Sequence, residues 1–125
     1  LAAIQEIIML PVLTFVPHSD PYIDGVANLR GTIIPAINTR KLMGFSRGGR
    51  TSATRLVIVK EDTAVFGLIV DDITSVVGLR PSDVEPQPTS GGPAFDLIPR
   101  VSKQDSRIRG IIDPVRILRY VGGEA

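Results

Sequence analysis

The stretch that decides the fold is Tyr22–Gly44, which reads YIDGVANLRGTIIPAINTRKLMG. It contains two short apolar runs, Gly25–Leu29 and Thr32–Ile37, with Arg30 and Gly31 between them. Two strand-like runs separated by a residue pair that contains glycine are typical of a β-hairpin, because glycine adopts the positive φ that a tight turn requires. The stretch therefore predicts a hairpin with an arginine at its tip.

The residues after the second run predict a short helix. Asn38 is a favourable N-cap, and Thr39–Met43 can form one or two helical turns before the glycine that follows them. The same order recurs near the end of the chain. There Arg107–Ile112 is typical of a strand, and Asp113 caps a helix that begins with proline and ends before the glycines at 122 and 123. We therefore predict a second helix at Pro114–Val121.

The other apolar runs are short and predict a protein that is almost wholly β. Val12–Val16 lies between prolines, as is common in edge strands. Arg55–Lys60 and Val65–Val70 are typical of a second hairpin. Ile73–Leu79 continues the β pattern, and Phe95–Val101 is expected to be a strand that is broken near its proline.

Three segments are expected to differ from these strands. Leu1–Leu10 predicts a short helical turn followed by a strand from Ile8, because its apolar residues have helical spacing but are partly β-branched. Ser46–Thr54 is small, polar and basic, which is typical of a surface loop. Arg80–Ala94 contains four prolines and a glycine pair, so we expect a linker or a crossover loop there.

Length and composition indicate an ordinary globular protein of one domain. The chain has 125 residues, of which 43% are hydrophobic and 22% charged, and its formal net charge is +1. A nearly neutral chain has no strong field for nucleic acid or for an anionic membrane. The absence of Cys excludes disulfides, and a single His cannot supply a zinc site. No apolar run reaches the roughly 18 residues of a membrane span.

The opening stretch also carries a family resemblance. Its signature consists, in order, of Ile23-Asp24-Gly25-Val26, Asn28-Leu29-Arg30-Gly31, Ile34-Pro35-Ala36-Ile37 and Arg40. This order resembles the signature of the CheW domain of bacterial chemotaxis. Similar segments occur upstream and downstream, at Ile4-Gln5-Glu6-Ile7, Phe66–Asp71, Ile111-Ile112-Asp113 and Ile117-Leu118. The resemblance implies one domain at residues 1–125, built from two small five-stranded β-barrels of SH3-like or OB-like type that share a core, with residues 80–94 as the crossover.

The resemblance also implies a function. It implies a non-catalytic adaptor without a cofactor, located in the cytoplasm at the inner face of the membrane. Its partners would be the regulatory domain of the histidine kinase CheA and the cytoplasmic tip of a methyl-accepting chemoreceptor, with neither nucleic acid binding nor membrane insertion. The family's coupling motif corresponds to Asn28, Arg30 and Gly31. The receptor-facing groove corresponds to Ile4, Gln5, Glu6 and Val26.

The candidate polar residues also have simpler explanations. A hairpin-tip arginine such as Arg30 is most often solvated or paired with a carboxylate, and Glu6 is a candidate partner. His18-Ser19-Asp20 has the residue types of a hydrolase triad, but neighbours in sequence rarely converge in space, so we expect a turn. Asp71-Asp72 is expected to begin a loop or act as a cap, because successive strand residues point to opposite faces.

Several alternatives stay open. The chain could be the CheW-like part of a CheV protein, the regulatory domain of a kinase, or a module of a pilus-type signalling system. A β-barrel that binds nucleic acid and an enzyme with a hidden site around His18 and Asp71 are further alternatives. The front of the chain also differs from the family, because no strand pair precedes Gln5-Glu6. We expect that Leu1 is not the natural start or that another chain covers the gap, for instance by strand exchange in a homodimer.

Overall fold

The structure is a computed structural model that describes residues 2–45, 49–87 and 96–121. The chain divides into two compact units, Leu1–Ile73 and Thr74–Ala125. Each unit contains its own β-sheet, and the helices of the described residues are short. The predicted β-rich fold with a few short helices is therefore confirmed, while the assignment of residues 1–125 to one domain stays a prediction.

The first unit is a five-stranded sheet. Its strands are β1 (Ala2–Met9), β2 (Ile23–Leu29), β3 (Thr32–Asn38), β4 (Arg55–Glu61) and β5 (Ala64–Val70). The order across the sheet is β1-β4-β5-β3-β2, and all neighbours are antiparallel except β3 and β5. The strands β1 and β2 therefore occupy the two edges of the hydrogen-bonded ladder.

The predicted hairpin and its helix are confirmed. Strands β2 and β3 are joined by Arg30 and Gly31, whose φ angles are 51° and 85°. Two successive positive φ values are typical of the type I′ turn, whose twist matches that of the flanking strands.

The helix α1 (Thr39–Leu42) is held at both ends as its sequence predicts. The side chain of Asn38 accepts a hydrogen bond from the backbone N–H of Lys41, at 3.1 Å. At the other end, the N–H of Gly44 bonds to the carbonyl of Lys41 and the N–H of Phe45 bonds to that of Arg40. This pair of bonds is the Schellman motif, and Gly44 has the positive φ that it requires.

One core cluster of the first unit lies on one face of its sheet. The buried residues of this cluster are Leu10, Ala27, Ile34, Ala36, Leu56, Ile58 and Ile69. In β4, however, the four residues from Leu56 to Val59 are all buried, so both faces of this strand are shielded from water. This explains why the strand is continuously apolar where a half-exposed strand would alternate.

The second unit contains a smaller sheet. A 3-10 turn (Pro81–Asp83) leads into β6 (Val84–Pro86), which pairs with β7 (Arg100–Gln104), and β7 pairs with β8 (Arg107–Ile111). The helix α2 (Pro114–Val121) follows, and the carboxylate of Asp113 accepts a hydrogen bond from the N–H of Val115, at 3.0 Å. The predicted second helix is confirmed. The glycines that were expected to end it lie outside the described residues.

The prediction for the front of the chain is wrong. Residues from Ala2 to Met9 form one strand, with no helical turn. The register of β1 against β4 shifts between Ile4 and Glu6, so Gln5 is the extra residue of a β-bulge. The bulge interrupts the alternation of side chains along the strand. The apolar residues of β1 therefore have a spacing in the sequence that resembles the spacing in a helix.

Other strand boundaries also differ from the prediction. Val12–Val16 is not a strand, and only Thr14 forms a bridge, to Val26. Ile73–Leu79 has no strand partner within the described residues. The strand expected at Phe95–Val101 begins at Arg100 and runs on to Gln104, because its partners in β6 and β8 lie there.

The expected crossover loop at residues 80–94 is ordered at its start. It begins with the 3-10 turn and β6, while residues 88–94 lie outside the described part of the chain. The turn is favoured by Asp83, whose carboxylate accepts a hydrogen bond from the N–H of Arg80, at 3.0 Å.

The strand count differs from two five-stranded barrels. The first sheet has all five strands, and in the described residues the second sheet has three. The first sheet includes β1 as one of its edge strands, and the expected absence of a strand pair before Gln5-Glu6 stays a prediction. No helix in the described ranges has the length and apolar character needed to cross a membrane.

Candidate functional site

The tip of the β2–β3 hairpin presents Arg30. The side-chain oxygen of Asn28 accepts a hydrogen bond from the backbone N–H of Gly31, at 3.0 Å. This bond bridges the turn and restricts the direction in which the Arg30 side chain projects from it. The three residues of the predicted coupling motif thus act together, two as supports and one as the exposed group.

Arg30 meets Glu6 in a two-pronged ion pair. Its Nη2 lies 2.6 Å from Oε2 and its Nη1 lies 3.3 Å from Oε1 of the carboxylate. The arginine side chain is 70% exposed, and that of the glutamate 33%. The sequence-based suggestion that Glu6 is the partner is confirmed, and the paired geometry is the one that guanidinium and carboxylate groups favour.

The pair keeps both groups charged. The hydrogen bond from Arg30 holds the pKa of the Glu6 carboxyl below its usual value, although partial burial opposes this shift. The same bond raises the pKa of the Arg30 guanidinium. At neutral pH the site therefore presents a fixed pair of charges, and neither group is poised to transfer a proton.

The ion pair also joins the two edges of the first sheet. Glu6 belongs to β1 and Arg30 directly follows β2, and these strands share no ladder. The segment that follows β1 also binds to β2, since Thr14 and Val26 exchange two backbone hydrogen bonds of 2.9 Å. The sheet is therefore curled so that its edges meet, as in a small barrel.

A shallow cavity lies beside the ion pair. Its volume is about 270 Å³. Its lining residues are Gln5, Glu6, Leu29, Arg30, Thr32, Ile34, Ile58 and Val65. Two of these, Ile34 and Ile58, belong to the core cluster, while the rim is polar. Such a cavity can take an apolar side chain of a partner between polar anchors.

The structure brings together some of the predicted groove residues and separates others. Gln5 and Glu6 line the cavity with Arg30, whereas Ile4 and Val26 are not among its lining residues. Ile4 is 62% exposed on β1. Val26 is half-buried between Thr14 and Pro35, so little of it faces water.

A second polar cluster holds α1 in place. The Nε of Arg40 lies 2.8 and 2.9 Å from the two carboxylate oxygens of Asp71, and Lys41 pairs with Asp24 at 2.6 Å. Asn38 also donates to Asp24, at 2.9 Å. Asp24 and Arg40 belong to the signature quoted above, which was the only sequence signal for this cluster. Its charges are paired, which indicates a structural role.

The polar groups considered for catalysis do not converge. Ser19 donates its hydroxyl to the carbonyl of Val16, at 2.8 Å, and His18 occupies a turn with φ of 63°. The predicted turn is thus confirmed. Within the described ranges, no three His, Cys, Asp or Glu residues form a group that could hold a metal ion. Asp72 accepts from the N–H of Ile73, as expected for a cap, whereas Asp71 pairs with Arg40.

Comparison with known proteins identifies the family. The sequence profile of the CheW-like domain matches residues 1–121. This chain belongs to the CheW-like domain family. The chemotaxis protein CheW of Bacillus subtilis is 35% identical over 106 residues, which make up 84% of this CheW-like chain and 68% of that protein.

Two further comparisons extend this result. The chemotaxis protein CheV3 of Helicobacter pylori is 35% identical over 86 residues, which are 68% of this chain and 28% of that protein. The crystal structure of the scaffolding protein TtCheW from Thermoanaerobacter tengcongensis is similar with a TM-score of 0.81 and 29% identity, covering 88% of this chain and 75% of that one. The fold of this CheW-like domain is therefore that of a CheW scaffold protein.

Proposed function

We propose that this chain is a non-catalytic adaptor that couples chemoreceptors to the histidine kinase CheA in chemotaxis-type signalling. The observation that carries the proposal is the match of the CheW-like family to residues 1–121. The site supports it, because a fixed charge pair beside a small cavity with a polar rim suits the binding of a protein partner and offers no proton-transfer group. We place the adaptor in the cytoplasm, at receptor arrays, without a cofactor.

The partners in this proposal are the regulatory domain of CheA and the cytoplasmic tip of a chemoreceptor. Arg30 is the exposed anchor, and Asn28 and Gly31 hold it in position. An arginine that is already oriented loses little side-chain entropy when it binds. Glu6 keeps the guanidinium in place until a partner adds a further contact.

The receptor is proposed to bind along β1. Ile4 is an exposed apolar residue on this strand, with Gln5 and Glu6 beside it at the rim of the cavity. A receptor helix that lays its apolar face on such a surface would contact Ile4 first and the polar rim next. Val26 contributes at most an edge of this surface, because it is half-buried.

A reconstitution experiment tests the proposal. The chain, CheA and a receptor cytoplasmic fragment are combined, and binding and kinase activity are measured with wild-type protein and with Arg30→Ala. We expect kinase activation to fall about tenfold or more, the loss of one well-positioned anchor. Arg107→Ala is the matched control, because Arg107 is also an exposed arginine next to a hairpin turn. Full activation by Arg30→Ala would contradict the role of Arg30, and no binding of either partner by the wild-type chain would contradict the adaptor.

A second candidate keeps the same fold within a larger signalling protein of the CheV type. The similarity to CheV3 over 68% of this chain favours it. The complete reading frame that encodes the chain distinguishes the two. An attached receiver or kinase domain would favour the larger protein, and a frame without such a domain would favour a separate adaptor.

A further inference from the structure

The loop that leads into β4 carries a serine between two arginines. Residues 50–55 read RTSATR, so Arg50 lies two positions before Ser52 and Arg55 three positions after it. Ser52 is exposed. The adaptor function proposed above uses none of these residues.

The turn in this loop uses the hydroxyls of its two threonines and leaves that of Ser52 accessible. Thr51 Oγ1 accepts a hydrogen bond from the N–H of Ala53, at 3.1 Å, and Thr54 Oγ1 accepts from the N–H of Thr51, at 3.0 Å. Thr54 is also buried, being 8% exposed. Within the described ranges, the hydroxyl of Ser52 has no hydrogen-bond partner. An enzyme can therefore reach this hydroxyl without breaking the turn.

The two guanidinium groups beside this serine lie on backbone carbonyls. Nη1 of Arg55 donates to the carbonyls of Ser52 and Thr54, at 2.7 and 3.0 Å. Arg50 donates to the carbonyls of residues 10 and 11. Among the residues that the structure describes, neither arginine forms an ion pair with a carboxylate. A carbonyl oxygen carries no net charge, so these contacts leave both positive charges in place.

The loop adjoins the end of β1 and not its start. Met9 lies opposite Arg55 in the ladder of β1 and β4, whereas Ala2 lies opposite Glu61. The contacts of the loop are therefore made within the first unit, at the edge where β1 leaves its five-stranded sheet.

We propose that Ser52 is a phosphorylation site for a serine/threonine protein kinase that recognises basic residues, and that Arg55 then binds the phosphate. Arginines on both sides of an exposed hydroxyl give the charge pattern that an acidic kinase cleft selects. In the reaction, Ser52 Oγ bonds to the γ-phosphorus of ATP, and the bond from this phosphorus to the bridging oxygen of ADP breaks. The hydroxyl proton passes to the catalytic carboxylate of the kinase, and ADP leaves.

The loop already contains the group that holds the new phosphate. Arg55 lies on the backbone oxygen of the residue that is modified, so its guanidinium is close to the phosphate on Ser52. A guanidinium can bind two phosphate oxygens in parallel, and such charge-assisted bonds are stronger than bonds to a neutral carbonyl. Arg50, two positions from the phosphate, adds a second positive charge.

Ser82 provides a comparison within the same chain. It is exposed and also has an arginine, Arg80, two positions before it. Here, however, Asp83 forms an ion pair with that arginine, with Nε and Oδ2 3.3 Å apart, and a glutamate occupies the third position after the serine. The local charge is therefore basic around Ser52 and not around Ser82, so we expect Ser52 to be modified and Ser82 to be spared.

Phosphorylation of the whole folded chain tests the site. The chain is incubated with ATP and the catalytic domain of protein kinase C, a kinase that accepts arginines on both sides of serine, and peptide mass spectrometry locates the phosphate. We expect position 52 to be modified about tenfold faster or more than position 82. The double variant Arg50→Ala, Arg55→Ala should remove this difference. Lys60→Ala is the matched control, because Lys60 is also an exposed cation of the first unit.

Equal rates at positions 52 and 82, or a rate at position 52 that the double variant leaves unchanged, would overturn the kinase site. Circular dichroism on every variant checks that the fold is retained.

A second measurement tests the phosphate contact without any kinase. Phosphoserine is incorporated at position 52 during translation, and thermal unfolding is compared with and without the phosphate. Because Arg55 binds the phosphate, phosphorylation should raise the melting temperature of the wild-type chain relative to its effect in Arg55→Ala. In Lys60→Ala the phosphate should have the same effect as in the wild-type chain. The same effect of the phosphate in wild type and in Arg55→Ala would overturn the role of Arg55.

Discussion

At the scale of single residues, Arg30 adopts a backbone conformation that a side chain usually avoids. Its φ is 51°, in the left-handed region where a Cβ is unfavourable. Such a conformation persists only where the surroundings hold it, and here the Asn28–Gly31 bond and the Glu6 ion pair do so. An arginine at this position thus carries a backbone cost that a glycine would not.

The first prediction follows from this cost. Arg30→Gly and Arg30→Ala both remove the ion pair, but only glycine relieves the backbone. We expect Arg30→Gly to melt at a higher temperature than Arg30→Ala, while both fail to activate the kinase. Thermal unfolding measured by circular dichroism makes the comparison. Equal melting temperatures would contradict the backbone strain at residue 30. Normal kinase activation by either variant would contradict the signalling role of Arg30.

The second prediction concerns the pH dependence of the ion pair. The pKa of Glu6 is lowered in the folded chain, so the pair adds stability above the unfolded pKa and loses it as pH falls through the lower folded value. Carbon-detected NMR should find that Glu6 titrates below an ordinary glutamate in wild-type protein and returns toward the ordinary value in Arg30→Ala. If Glu6 titrates with the same midpoint in wild-type protein and in Arg30→Ala, the ion pair does not persist in solution.

The third prediction separates the two partners. Ile4→Asp places a charge on the apolar surface of β1, so receptor binding should be lost while CheA binding survives. Ile108→Asp is the control, since Ile108 is similarly exposed at 69%, against 62% for Ile4, on β8. Loss of both partners by Ile4→Asp would indicate misfolding, and unchanged receptor binding would remove β1 from the receptor surface.

At the scale of elements, β4 and β5 depend on a close approach at Gly67. A Cβ built on this residue would lie 2.6 Å from Cδ1 of Leu56, whose side chain is fully buried in the core. The glycine is therefore needed for packing between neighbouring strands and not for an unusual φ. It also lies opposite Ile58 in the ladder, at the centre of the first sheet.

The fourth prediction is that Gly67→Ala destabilises the first unit by about 1–3 kcal/mol, the usual cost of an overpacked core. Urea denaturation followed by circular dichroism measures the change. Gly49→Ala is the control, because a Cβ there meets nothing within 4 Å. If Gly67→Ala is as stable as Gly49→Ala, the side chain of Leu56 can move aside without loss of stability.

At the scale of the whole molecule, charge and composition argue against nucleic acid as a partner. The net charge is +1, and the aromatic residues are four Phe and two Tyr with no Trp. Single-stranded nucleic acid is bound by a basic groove together with aromatic stacking platforms. The strand-exchanged homodimer stays a prediction.

The fifth prediction is that the chain is not retained on immobilised oligonucleotides at about 0.15 M salt, because few phosphate contacts can form. Retention is measured as a function of salt concentration. Binding that weakens linearly with the logarithm of salt would instead support the nucleic-acid alternative.

Local elements were the part of the fold that the sequence predicted best. The hairpin turn, the Asn38 cap and the α2 start depend on contacts between residues a few positions apart, so their signals lie within short windows. The errors occur where the structure of a segment depends on pairing with residues far away in the sequence. The front of the chain becomes a strand because β4 pairs with it, and a bulge at Gln5 hides the alternation. Ile73–Leu79 shows the reverse case, since it has strand composition but no strand neighbour in the part of the chain that the structure describes.

By itself, the sequence determined the hairpin with its arginine tip, the two capped helices and the family signature, because each is encoded by neighbouring residues. Only the tertiary structure decided which distant groups meet. Glu6 and Arg30 are 24 positions apart, and a curled five-stranded sheet brings them within 2.6 Å. The cavity beside them and the separation of Val26 from it also depend on strand order. Strand order depends on which edges pair and which residues the core buries, and no short window of sequence contains that information.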